Sequence, residues 1–190
     1  MSSINDDELR KITVGDLVPL DAPVHLAEYD PGWPGLFTRE AARIRAVLGD
    51  RVLLVEHVGS TSVPGLAAKP IIDMVLAVAD SSDEPSYVPD LEAAGYVLRI
   101  REPDWYEHRV FKGPAVNINL HVFTDACVEI DRMITFRDRL RADDADRETY
   151  ERTKRELAGR TWRHIQHYAN AKSAVVTEIL GRAAEAQRDA

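Results

Sequence analysis

Two short apolar runs constrain this chain more than any other feature: Val52-Leu53-Leu54-Val55, and Ile71 to Ala79, which is interrupted by a single acid, Asp73. Runs of this length with no polar alternation read as strands buried on both faces, because a half-solvated strand would alternate. The predicted strands are Arg51 to Glu56 and Pro70 to Val78. Both are too short to span a bilayer. Strands covered on both sides need helices to cover them, and helical patterns flank them. Leu36, Phe37, Ala41, Ile44, Val47 and Leu48 recur at helical spacing behind the turn signal Asp30-Pro31-Gly32-Trp33-Pro34, and Gly49-Asp50 stops that helix.

Three more strands are expected, at Tyr96 to Arg101, Trp105 to Lys112 and Asn117 to Phe123, after a short helix near Pro89 to Ala94. The chain then turns helical, with a helix about Ile130 to Leu140, one capped by Asp143-Asp144, and one from Trp162 to about Ala186. Helix, mixed strands and a helical tail in that order fit an α+β domain better than a βαβ repeat. Residues 1–22 are predicted as a flexible arm. Residues 23–190 then form one domain with a helical part at about 129–187.

The bulk numbers exclude some functions. A net charge of −8 disfavours nucleic acid and membrane surfaces, which are polyanions. It leaves room for a local cationic pocket that takes a small anion. One cysteine, Cys127, gives no internal disulfide and fits a cytoplasmic setting. The N-terminus carries no apolar signal segment.

The chemistry concentrates between Glu56 and Asp73. Gly59-Ser60 leaves a buried strand, and glycine lets backbone N–H groups approach an anion closely. A helix starting near Thr61 would add a positive end. Asp73 sits among Ile71, Ile72 and Met74, where a carboxylate needs compensation. A divalent cation is one compensator; backbone amides around Asp73, with Gly59-Ser60 as an ordinary turn, are the other.

The run from His57 to Asp73 resembles the signature of the GrpB family, whose members share a nucleotidyltransferase-like fold. Further matches are Tyr29 to Pro34, Arg109-Val110-Phe111-Lys112, Asn119-Leu120-His121-Val122, Phe136 to Leu140 and Tyr168 to Lys172. Together they span roughly residues 24–185. The resemblance implies a mixed β-sheet flanked by helices, with a C-terminal helical region. It also implies kinship with the accessory domain fused to some dephospho-CoA kinases, to which a folding-assistance role has been assigned. Active nucleotidyltransferases carry two acids at n and n+2 of a strand, on one face, to hold two metal ions. Here Asp73 is followed by Val75, and on a later strand Asn117, Asn119 and His121 share a face.

The expected site follows from these residues. Asp73, His121 and Glu56 are the candidate catalytic groups. Gly59, Ser60, Thr61, Lys69, Arg109, Lys112 and Asn119 are the candidate ligand contacts, with Arg101 a further anion contact. His57, Asp73 and His121 are the candidate ligands of a divalent metal: magnesium, manganese or zinc. Glu107 is a spare acid, with a surface ion pair as its other reading. Tyr168 and Lys172, four apart, could close the pocket, or pack in the core and reach to solvent. The expected function is binding of a nucleotide or another small phosphorylated or carboxylated molecule, with metal-dependent group transfer. The alternative is a non-catalytic folding-accessory or ligand-binding module that lacks the second carboxylate.

Overall fold

The computed structural model describes residues 5–188. A five-stranded sheet holds the centre, in the order β1-β2-β5-β4-β3. Its strands are β1 (Leu54–Val58), β2 (Ile72–Val78), β3 (Val97–Glu102), β4 (His108–Lys112) and β5 (Ile118–Thr124). Only β2 and β5 run parallel; the other neighbours are antiparallel. The helices are α1 (Asp6–Ile12), α2 (Trp33–Leu48), α3 (Val88–Ala93), α4 (Val128–Ala142), α5 (Asp144–Ala158), α6 (Ile165–Ala171) and α7 (Ser173–Arg188). The α+β architecture expected from the sequence is present.

Side-chain alternation sorts the sheet into two faces. Met74, Leu76, Phe111, Leu120 and Val122 point one way and pack with Ala41, Ile44 and Leu48 of α2 and Leu91 of α3. Val58, Val75, Ala77 and Phe123 point the other way, against Ile130 of α4. The second face is only partly filled, because α4 to α7 stand over it with a gap between.

Local sequence explains the element ends. Asn5 caps α1 and Glu8 closes the capping box, at 2.9 and 2.8 Å. Asp143 caps α5 by accepting from the Asp146 amide at 2.9 Å. Strand β4 starts at His108, three residues later than expected from the sequence, because residues 103–107 make a turn. That turn places Tyr106 and Glu107 at φ 55° and 50°. The expected long last helix is broken at Lys172 into α6 and α7.

The arm expected over residues 1–22 needs correction where it is described. Leu9 of α1 is fully buried, Thr13 bridges Ile100 on β3, and the Val14 amide donates to Arg99 at 2.8 Å. One apolar anchor and an edge-strand bridge dock a segment whose polar composition suggested none. Residues 1–4 lie outside the described residues. Among the described residues, no helix is long and apolar enough to cross a membrane.

Candidate functional site

The gap between the sheet and the C-terminal helices is a cavity of about 430 Å³. Its floor comes from two parallel neighbours. Asp73 on β2 pairs in register with Asn119 on β5, and Val75 with His121, so Asp73, Asn119 and His121 share the open face. Its roof and walls include Phe136 from α4, Tyr150 and Lys154 from α5, Tyr168 from α6 and Lys172 from the α6–α7 break. Gly59, Ser60 and Trp105 also line it.

Gly59 is required where it is. Its φ is +68°, and a Cβ there would lie 2.5 Å from Asp73 Oδ2. The backbone of the turn therefore rests directly on the Asp73 carboxylate. The expected helix near Thr61 is a single 3-10 turn, Ser60–Ser62, with no long dipole behind it. That turn is pinned from outside by Arg141, which donates to the Ser62 carbonyl at 3.0 and 2.8 Å.

Asp73 Oδ1 accepts from Asn119 Nδ2 at 2.7 Å, and Asn119 Oδ1 accepts from Lys112 Nζ at 2.5 Å. Burial raises the Asp73 pKa, while Asn119 and the nearby Lys69, Lys172 and Lys112 oppose that rise. The lysines respond in the opposite sense. Burial lowers Lys69 and Lys112, and pushes Lys172 down to about 8 and Lys154 to about 7. Lys154 is 1% exposed and donates to the Ala67 carbonyl. Lys154 lies 5.0 Å from the Tyr150 ring centroid, and Lys172 lies 4.7 Å from that of Tyr168. The Tyr168 hydroxyl is buried with no hydrogen-bond partner among the described residues. Burial makes the charged form of these amines costly, and an anion placed beside them would lower that cost.

The residues expected in the site divide by the face on which they fall. Gly59, Ser60, Thr61, Lys69, Asp73, Asn119 and His121 line the cavity, and Lys112 reaches it through Asn119. Thr61 serves mainly as a brace, its hydroxyl donating to the Ile71 carbonyl at 3.1 Å. His57 is on the opposite face. It stacks on Phe37 of α2 with ring centroids 5.0 Å apart and meets Thr61 Oγ1 at 3.0 Å. It pairs in register with Met74, not Asp73, so the sheet separates it from the cavity. Burial and the guanidiniums of Arg141 and Arg137 push its pKa down to about 4.

Arg109 also faces away, 4% exposed, with Nε on Glu84 at 2.6 Å and Nη2 on Glu107 at 3.1 Å. Arg101 shares Glu84 at 2.6 Å. These arginines tie β3 and β4 to the segment before α3 and do not clamp a ligand. Glu56 lies on the cavity's face of the sheet, opposite Val75, but it accepts from Arg137 at 2.7 Å, fastens α4 to β1 and is not among the residues lining the cavity.

A metal fits this donor set poorly. Among the described residues no three His, Cys, Asp or Glu side chains converge. Asp73 and His121 supply two donors, and the ammonium groups of Lys69, Lys112 and Lys172 already surround the carboxylate. Cations repel a divalent ion from that position.

Lys154, Tyr150 and Trp105 carry no motif and come from a helix and a turn distant in the chain; Phe136 opens the family-matching stretch to Leu140, but nothing in that stretch pointed it at the site. Periodicity held one usable signal for Lys154. It falls four residues after Tyr150, on the apolar stripe that continues to Leu157, so a lysine there is buried.

The profile of the family described as "GrpB protein" matches residues 23–182. The chain belongs to the GrpB family. A UPF0157 protein of Halalkalibacterium halodurans is 65% identical over 178 residues, 94% of this chain and 91% of that protein. The crystal structure of conserved protein GrpB from Enterococcus faecalis superposes with a TM-score of 0.73 at 32% identity, covering 86% of this chain and 99% of that one. A dephospho-CoA kinase of Mycolicibacterium paratuberculosis is 29% identical over 188 aligned positions, covering 85% of this GrpB chain but 46% of the kinase.

Proposed function

We propose that this GrpB-family protein binds a small anionic molecule, a nucleotide or another phosphorylated or carboxylated compound, in the cavity over Asp73. One observation carries the reading. In a chain of net charge −8, Lys69, Lys154 and Lys172 converge on one cavity, and burial holds all three below the ordinary lysine pKa. An anion restores their charge and relieves the desolvation, so the site gains most from a ligand with two or more acidic oxygens. The aromatic rings of Phe136, Tyr150, Tyr168 and Trp105 offer apolar and π surface for the rest of the molecule.

Group transfer in this site rests on positioning and charge stabilisation by the lysines rather than on paired metal ions. A second reading, a ligand-binding or accessory module without catalysis, is favoured by Val75. Val75 is fully buried against α4, where a two-metal enzyme has its second carboxylate. The similarity to part of a dephospho-CoA kinase supports the same reading.

A melting-temperature scan tests both. The ligands are nucleoside triphosphates, coenzyme A precursors, inorganic phosphate and amino acids, each with and without Mg²⁺, Mn²⁺ or Zn²⁺. A ligand at a hundred times its Kd stabilises by about 2.7 kcal/mol. The shift is expected without metal and is lost in Lys172→Met. No shift with any phosphorylated or carboxylated compound removes the proposal. A shift unaccompanied by turnover, measured by mass spectrometry of the incubated ligand, leaves the module reading.

A further inference from the structure

Behind His121 stands a chain of hydrogen-bonding groups that the binding reading does not use. Glu102 Oε2 lies 2.7 Å from Nδ1 of His108, and His108 Nε2 lies 2.9 Å from Nδ1 of His121. His108 is 4% exposed and immobilised by packing. Its ring stacks on Phe123 at 4.5 Å, lies edge to edge and nearly parallel with His121 at a centroid distance of 5.1 Å, and meets Trp105 edge-on at 5.0 Å. The remaining nitrogen, His121 Nε2, belongs to a cavity-lining side chain and sits 4.0 Å from Asp73 Oδ1.

Elementary hydrogen-bond accounting gives this chain a direction. A carboxylate only accepts, so His108 Nδ1 carries hydrogen. With His108 neutral, its other nitrogen is an acceptor and His121 Nδ1 donates to it; a protonated His108 would instead donate and put the hydrogen of His121 on Nε2. Neutral His108 thus leaves His121 with hydrogen on Nδ1 and a bare lone pair on Nε2. The 4.0 Å separation from Asp73 is too long for a hydrogen bond, as expected for two acceptors facing each other.

We infer that Glu102 and His108 are positioning residues that hold His121 as a proton acceptor facing the cavity, so that the ligand presents a hydroxyl or amine hydrogen to His121 Nε2 while its acidic group meets the lysines. The ligand class is thereby narrowed to an anion that also carries an O–H or N–H donor. The step is a proton transfer or hydrogen bond from the donor atom to Nε2, and no other bond changes. The role toward a ligand rests on the binding proposal above; the tautomer does not.

The test is nitrogen NMR of the full chain labelled on its histidine rings at neutral pH, with His121 assigned through His121→Gln. The wild type is expected to show Nε2 as the bare nitrogen and Nδ1 as the protonated one. His108→Phe keeps the stack on Phe123 and removes the acceptor, so hydrogen is expected to move to Nε2 and the bare Nε2 signal to be lost. A wild-type His121 protonated on Nε2 overturns the relay, as does an unchanged tautomer in folded His108→Phe. If that variant does not fold, the wild-type spectrum decides alone. The expected tautomer without any melting shift in the ligand scan sinks the binding proposal and leaves the relay standing. The reverse result does the opposite.

Discussion

The two faces of one sheet carry similar residues and treat them differently. On the face covered by α2 and α3, polar groups are closed off in pairs: Arg109 and Arg101 on Glu84, His57 on Thr61, and Tyr96 on Glu40. On the face under α4 to α7, lysines outnumber their acidic partners, a tyrosine hydroxyl has no hydrogen-bond partner among the described residues, and space remains. Buried polar groups that satisfy one another make structure. Those left waiting for a partner mark a binding place. The two faces therefore respond to mutation in different currencies, stability on the first and ligand affinity on the second.

The largest expected effect is on the dry face. Phe111 is fully buried among Tyr87, Leu98 and Leu120. Phe111→Ala removes a ring from a packed core and is expected to lower stability by about 3–5 kcal/mol, measured by urea unfolding. Whatever ligand the scan identifies keeps its Kd for the folded fraction. A large affinity change in this variant would break the division between the faces.

Next comes the buried amine on the wet face. Lys154 has a pKa near 7 in the folded protein against 10.5 when unfolded. Between those values the unfolded chain binds more protons, so stability rises as pH increases through that window. Below pH 7 both states are protonated and the contribution no longer varies. The slope reaches at most about 1.4 kcal/mol per pH unit from this group. Lys172, near 8, adds in the same direction over a narrower window. Lys154→Met is expected to flatten the profile of unfolding free energy between pH 7 and 10. It also weakens anion binding, which in the wild type falls as pH rises and the ammonium charges are lost. A pH profile that Lys154→Met leaves unchanged would mean the amine is not desolvated.

Much of this was legible beforehand. Five strands, α2, the Asp143 cap and the Gly59 to Asp73 segment could be read because each is specified by residues close in sequence. Strand β1 nevertheless runs from Leu54 to Val58, later than the expected Arg51 to Glu56, and leaves Leu53 exposed. The face on which Asp73, Asn119 and His121 lie could also be read, since period two is local. What escaped was which face the cavity occupies. Arg109 and His57 differ from Lys112 and Asp73 only in strand parity and register, and register is fixed by pairing across the sheet. The turn at 103–107 hid Trp105, because an apolar residue before a strand reads as part of the strand. Lys154 and Tyr150 approach Asp73 only through tertiary packing.

Gly59→Ala tests the seam between the two regions at an intermediate size. An alanine would be strained at φ +68° and would meet the Asp73 carboxylate. A loss of about 1–3 kcal/mol is expected from the backbone conformation. Unlike Phe111→Ala, this change also displaces Asp73, so ligand affinity is expected to fall with stability. Paired unfolding and binding measurements check this. Loss of stability with full affinity would show that the carboxylate is not part of the binding place.

The smallest expected effect is at His57, the residue that by sequence stood nearest the candidate site. His57 Nε2 donates to Thr61 Oγ1, since that hydroxyl already gives its hydrogen to Ile71. His57→Phe deletes one neutral hydrogen bond, worth about 1 kcal/mol, and retains an aromatic ring over Phe37. The Thr61 hydroxyl still donates to Ile71, so the turn keeps its brace. Ligand affinity and its metal dependence are expected to match the wild type in titration calorimetry, because the sheet lies between this ring and Asp73. A tenfold loss of affinity, or a zinc response present in the wild type and absent from the variant, would place the imidazole on the cavity side and erase the contrast between the faces.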